Sequence, residues 1–163
     1  MAETETLTLA KALSVKNRLA GRLAQASANI QTYNSVLAGQ REGDGTGTVD
    51  VRAEFDRMLK LQDALVAVKA AIQRANIEIY AEILRLGEIK SLIQMLNTLN
   101  TRDGVEPGFG GVEYHYVAEL RKPEILDLIR AREAEIDAIQ DRINQYNAAT
   151  RIELRSEVLD LAR

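Results

Sequence analysis

A chain of 163 residues with 46% hydrophobic and 28% charged residues falls in the ordinary range for one globular domain. A formal charge of −3 from interspersed acids and bases leaves no broad basic surface for phosphates, so no nucleic-acid partner is expected. The absence of cysteine excludes a disulfide framework, a thiolate zinc site and a cysteine nucleophile, and fits a reducing, cytoplasmic setting.

The first residues, MAETETLTLAKAL, are acidic and lack the apolar run of a secretory signal. No apolar stretch approaches the ~20 residues of a membrane span, so membrane association is not expected. Aromatics make up only 4% and there is no Trp, so the core must be built from Ala, Ile and Leu, a composition suited to helix packing.

A first helix is predicted from Thr6 or Thr8, whose hydroxyls suit an N-cap. Its apolar face, Ala12, Val15, Leu19, Leu23, Ala26, Ile30, Tyr33 and Leu37, advances in threes and fours and stops before Gly39. The glycine-rich stretch 39–48, GQREGDGTGT, reads as a flexible surface loop. Asp50 is placed to cap a second helix running from about Val51 to Thr101, with Glu54 near its positive end. One face carries Met58, Leu61, Leu65, Val68, Ile72, Ala75, Ile79, Ile83, Leu86, Ile93 and Leu96. About fifty residues at ~1.5 Å each span roughly 75 Å, so this helix either bends near Gly87 or makes the molecule elongated. Off that stripe lies a second apolar flank of Leu59, Val66, Ile77, Tyr80 and Leu84, interrupted by Gln62 and Gln73.

DGVEPGFGG at 103–111 ends the helix, and Val112, Tyr114 and Tyr116 alternate as in a strand, with Gly104-Val105-Glu106 as a hairpin partner. Pro123 sits where a first helical turn tolerates it, and a third helix runs to about Asn147 or Thr150. Its stripe is Ile125, Ile129, Arg132, Ile136, Ile139, Ile143 and Tyr146. A tail, IELRSEVLDLAR, carries a short helix capped by Ser156. The fold expected is thus mainly α: residues 1–163 form a single domain, an elongated antiparallel helical bundle with a long central helix and a small β-hairpin element at about 104–120. The first helix lies along the first half of the second, and the third along its other half. The spare flank of the second helix then meets another copy of the chain.

No constellation spells out a reaction. With Gly47 as the turn glycine of an EF-hand, Glu42, Asp44 and Thr46 take the first ligand positions and Val49 the apolar one. The bidentate acid then falls on Ala53, one short of Glu54, and a polar linker is the expected reading. His115, the single histidine, reads as a structural or edge residue between Tyr114 and Tyr116. Glu78, Glu82, Arg85, Glu88 and Lys90 read as a solvated charged face, without the Glu-x-x-His pairs of a di-iron bundle. Arg132 either packs its stem and sends its guanidinium to solvent or a carboxylate, or forms a buried pair with Glu82 or Glu88. Asn76, Asn144 and Asn147 are candidates for hydrogen bonds between helices. No catalytic, cofactor-binding or metal-ligating residue is assigned, and no cofactor is expected.

The segments LAKAL at 9–13, IQRAN at 72–76, GEIKSLI at 87–93 and EIDAIQDRINQYNAATRIEL at 135–154 resemble, in that order, a family of small helical bacterial proteins of unknown function, some of which carry the label septicolysin. The chain departs from the family pattern at Gln73-Arg74-Ala75-Asn76, at Asn144 and at Glu113-Tyr114-His115-Tyr116. The resemblance implies a helical bundle with a small β element, and the label implies membrane lysis, which no long apolar stretch supports. The function expected is that of a non-enzymatic structural or interaction protein forming a homo-oligomeric helical assembly. The alternatives are a membrane-binding or pore-forming cytolysin-like protein and a prefoldin-like chaperone.

Overall fold

Thr8 ends one element and begins another. In the computed structural model, which describes residues 3–35 and 49–163, strand β1 covers Thr4–Thr8 and helix α1 covers Leu9–Tyr33. The Thr8 hydroxyl accepts a hydrogen bond from the Lys11 amide at 3.1 Å, satisfying one of the free donors of the first turn. Helix α2 spans Val51–Ala75, and the Asp50 carboxylate accepts from the Arg52 and Ala53 amides at 3.0 Å each. Helix α3 covers Tyr80–Thr98, strands β2 and β3 cover Gly104–Pro107 and Glu113–Tyr116, and helix α4 covers Lys122–Ala149. Strand β4, Arg151–Arg155, and helix α5, Ser156–Asp160, complete the order. The fold is mainly α with small β elements.

The chain divides into two compact units, one formed by Met1–Ile77 with Asn147–Arg163, the other by Glu78–Tyr146. In the first, α1 lies along α2. The two helices bury Leu9, Ala12, Val15, Leu19 and Ala26 on one side of the seam and Leu61, Ala64, Leu65, Val68, Ala71 and Ile72 on the other. Alanines on both helices let the backbones approach, and each fully buried Leu or Ile contributes roughly 1.5–3 kcal/mol. Asn29, late in α1, donates to the Glu54 carboxylate early in α2 at 3.2 Å, as an antiparallel pair requires. Tyr33, expected on the buried face, is exposed in the last turn of α1. Leu37 and the loop expected at 39–48 lie outside the described residues.

The same unit holds an element the sequence reading did not foresee. β1 pairs antiparallel with β4, with Leu7 opposite Ile152 and Glu5 opposite Leu154. Ile152 and Leu154 are buried while Arg151, Glu153 and Arg155 are exposed, the alternation of a strand with one dry face. The Leu9 amide donates to the Thr150 carbonyl, and the Ser156 amide to the Glu3 carbonyl, both at 2.9 Å. The short C-terminal helix is present, but Ser156 does not cap it. Arg155 holds the N-cap position, Ser156 is the first helical residue, and its buried hydroxyl makes no hydrogen bond.

The predicted long central helix is interrupted. α2 stops at Ala75, Asn76 takes φ −80° and ψ −4°, and Ile77–Ile79 form one 3₁₀ turn before α3 begins. Asn and two β-branched residues are weak helix formers, and a tighter turn accommodates them. Gly87, the expected bend, lies inside an unbroken helix.

In the second unit α3 and α4 form an antiparallel pair. Ile79 and Ile89 pack with Ile139 and Ile143, joined by the half-buried Ile83, Leu86, Ile136 and Tyr146. Leu96 packs with Ile125 and Ile129 at the other end. β2 and β3 form the expected hairpin, with Val105 opposite His115 and Glu106 opposite Tyr114. Its tip is a turn of glycines, where Gly110 and Gly111 take φ of 75° and 82°.

Candidate functional site

α3 is apolar on two opposite faces. Ile89 and Leu96, with Ile79 just before the helix, turn to α4 and are buried. Tyr80, Leu84, Leu92 and Met95 recur at helical spacing on the opposite side and are all exposed. Glu88 occupies the turn where that outer stripe would otherwise continue. A surface helix ordinarily turns one apolar stripe to its core and polar residues to water, so the second apolar stripe of α3 is a departure from that pattern. The flank predicted on the second helix is thus exposed where it was expected: Leu59 and Val66 on α2, Ile77 in the 3₁₀ turn, and Tyr80 and Leu84 on α3.

The charged residues of α3 lie on a largely exposed face, and two of them, Glu82 and Arg85, pair across to α4. The Arg142 Nε donates to both Glu82 carboxylate oxygens, at 3.0 and 2.9 Å. Arg85, spaced to meet Glu82, instead donates its Nε to Glu135 across the pair at 2.8 Å. Arg132 donates to the other Glu135 oxygen at 2.6 Å, so its partner is a carboxylate one turn along its own helix, neither Glu82 nor Glu88. Half-buried Arg132 therefore follows the simpler of its two readings. The Arg85 and Arg132 guanidiniums beside Glu135 hold its carboxyl below the usual carboxylate range. Two cross-helix pairs bridge α3 and α4 in the alignment an antiparallel pair requires, and exposed pairs of this kind contribute little to stability.

Among the described residues, the asparagines expected to join helices make no hydrogen bond between them. Asn76 ends α2, with its amide on the Ile72 carbonyl at 2.9 Å, and Asn144 accepts from Gln140 on its own helix. Asn147 is half-buried at the end of α4. Asn29, which sequence spacing gave no reason to single out, does link α1 to α2. His115 sits exposed on β3. Among the described residues no group of three or more His, Cys, Asp or Glu side chains gathers to hold a metal ion. Glu42, Asp44, Thr46 and Gly47 of the near-miss calcium loop lie outside the described residues. Glu54, its nearest acid, is engaged with Asn29 and lies 3.5 Å from Arg57.

Two further surface features stand apart. An open groove of about 870 Å³ has an alanine floor of Ala64, Ala67, Ala70 and Ala71, and its rim includes Lys60, Asp63, Arg74 and Glu157. The hairpin tip carries Phe109, 98% exposed, with Val105, Val112 and Tyr114 about half exposed beneath it. No helix among the described residues is long and apolar enough to cross a membrane. No protein-family model, curated protein or solved structure matches this chain. Fold and surface define a mainly α protein whose most developed surface feature is an apolar face on a helix.

Proposed function

We propose that this chain is a structural or interaction protein, without enzymatic chemistry of its own, that self-associates into a helical homo-oligomer through the outer face of α3. The observation that carries the reading is a balance within the unit Glu78–Tyr146, which exposes more large apolar side chains than it buries. A unit of this size has a thin core, and association is one of the few ways such units gain stability. A disulfide cannot serve instead, because the chain has no cysteine. An apolar stripe is complementary to itself under a two-fold axis, so a second copy is a sufficient partner. The net charge of −3 opposes such pairing only weakly. The likeness to the septicolysin-labelled helical family belongs to the same proposal in its fold, not in the lysis its label implies.

Light scattering at micromolar concentration is expected to give a mass at least twice 18.1 kDa. A monomeric mass overturns the reading. Liposome leakage by such a monomer would favour the cytolysin-like alternative, and suppression of client aggregation the chaperone-like one.

A further inference from the structure

The hairpin of β2 and β3 is a two-stranded sheet whose outer edges pair with no other strand among the described residues. All of β2 is exposed, as is all of β3 except the half-buried Tyr116. A two-stranded hairpin standing alone in water is marginal. The two outer edges are not equivalent. β2 ends in Pro107, which has no amide to offer, and proline is a common guard of an edge strand. β3, Glu113-Tyr114-His115-Tyr116, has an amide on every residue and no such guard. The Tyr116 ring is held in place by Arg102, whose guanidinium lies 5.4 Å from the ring centre and donates to its hydroxyl at 3.3 Å.

Resting on the self-association reading above, we infer that β3 pairs antiparallel, edge to edge, with β3 of a second copy, in the register that places Tyr114 opposite Tyr114. A two-fold axis relating neighbouring antiparallel strands stands normal to the sheet, so both copies turn the same face the same way. The axis must then pass beside one residue. Centred on Glu113, it sets carboxylate against carboxylate, and like charges directly opposed are unfavourable. Centred on His115, it sets imidazole against imidazole and leaves Glu113 facing Val117. Centred on Tyr116, it relies on residues beyond the strand. Centred on Tyr114, it sets Glu113 opposite the second copy's His115, twice, so that a carboxylate meets an imidazole N–H on both sides of the axis. The other face then joins Tyr114 to Tyr114 and Val112 to Tyr116, aromatic and β-branched pairs of the kind that stabilise sheets. Only this register satisfies both faces, and it converts two exposed hairpins into one four-stranded antiparallel sheet.

The chain has no cysteine, so an introduced one reports on its own position alone. Directly opposed antiparallel residues lie about 4.5–5.5 Å apart between Cα atoms, within disulfide range. Tyr114→Cys is expected to form a cross-linked dimer on mild oxidation, and His115→Cys, offset from its copy by two residues, is not. Because Tyr114 covers Gly108 and its loss could loosen the hairpin, a second test keeps it. Co-expressed Glu113→Cys and His115→Cys chains are expected to cross-link to each other, and neither to itself. Cross-linking of His115→Cys alone overturns the register. A wild-type mass of twice 18.1 kDa with no cross-link in Tyr114→Cys or in the mixture overturns the edge pairing and leaves self-association standing. A monomeric wild type overturns both.

Discussion

Ile139 is 2% exposed and packs in the cluster of Ile79, Ile89 and Ile143. Ile139→Asp forces a carboxylate either to lose solvation or to take up a proton there, costing several kcal/mol. Ile139→Ala is expected to cost roughly 2–5 kcal/mol through lost contacts and the cavity left behind. Asp137→Ala, two residues away on the exposed side, is expected to change stability little. Urea midpoints for the three variants check this: equal midpoints for Ile139→Asp and Asp137→Ala would contradict the facing of α4. Glu135 gives a second test at this scale, through pH. Its carboxyl is held below the ordinary range, first by the hydrogen bond from Arg85 and then by that from Arg132. A depressed folded-state value means that its stabilising effect is fully present above the unfolded value of about 4.3 and is lost as pH falls through the folded one. The urea midpoint of wild type is therefore expected to exceed that of Glu135→Gln at neutral pH, with the gap closing in acid. A gap that is constant from neutral to acid pH would show that the pairing is not what holds the carboxyl down.

At the scale of elements, two glycines separate helix from hairpin. Gly87 lies within α3, and a Cβ built there meets nothing within 4 Å. Gly87→Ala is therefore expected to stabilise the protein by roughly 0.5–1 kcal/mol, because glycine loses more backbone freedom on folding. A Cβ at Gly108 would overlap the Tyr114 ring and lie 2.9 Å from the Val112 carbonyl oxygen. Gly108→Ala is expected to lower the melting temperature by displacing that ring, and equal effects from the two alanine variants would contradict these surroundings. The helices were legible because their signal is local: Ile125, Ile129, Ile139 and Ile143 keep the predicted stripe and are buried. The interruption at Asn76 was hidden by the same signal, since Ile72, Ala75, Ile79 and Ile83 keep steps of three and four straight through it. One 3₁₀ turn shifts the phase of the stripe too little to break that pattern. The pairing of β1 with β4 joins opposite ends of the sequence, and the alternation in Arg151–Arg155 is too short to name a partner. Glu82 and Arg142 stand 60 residues apart, so only the folded antiparallel pair brings them together.

At the scale of the whole molecule, assembly and folding should be separable because the outer stripe of α3 is apart from the core. Tyr80, Leu84, Leu92 and Met95 are exposed, so replacing them with charge leaves the contacts of Ile79, Ile89, Ile139 and Ile143 intact. The double variant Leu84→Glu, Met95→Glu is expected to retain the helical circular dichroism of wild type while its mass falls to that of a single chain. Its glutamates remain hydrated in the monomer but would lose that hydration in the interface, where an unpaired buried charge is strongly unfavourable. Thermal unfolding gives an independent check, because association draws the equilibrium toward the folded chain by mass action. The wild-type melting temperature should therefore rise with protein concentration, while that of the double variant should not. Salt distinguishes the kind of contact: pairing through Leu84 and Met95 should survive molar salt, whereas an association carried by exposed ion pairs would weaken as the Debye length falls to ~3 Å. A wild-type melting temperature independent of concentration, or a double variant with unchanged mass, would remove the outer face of α3 from the account of assembly.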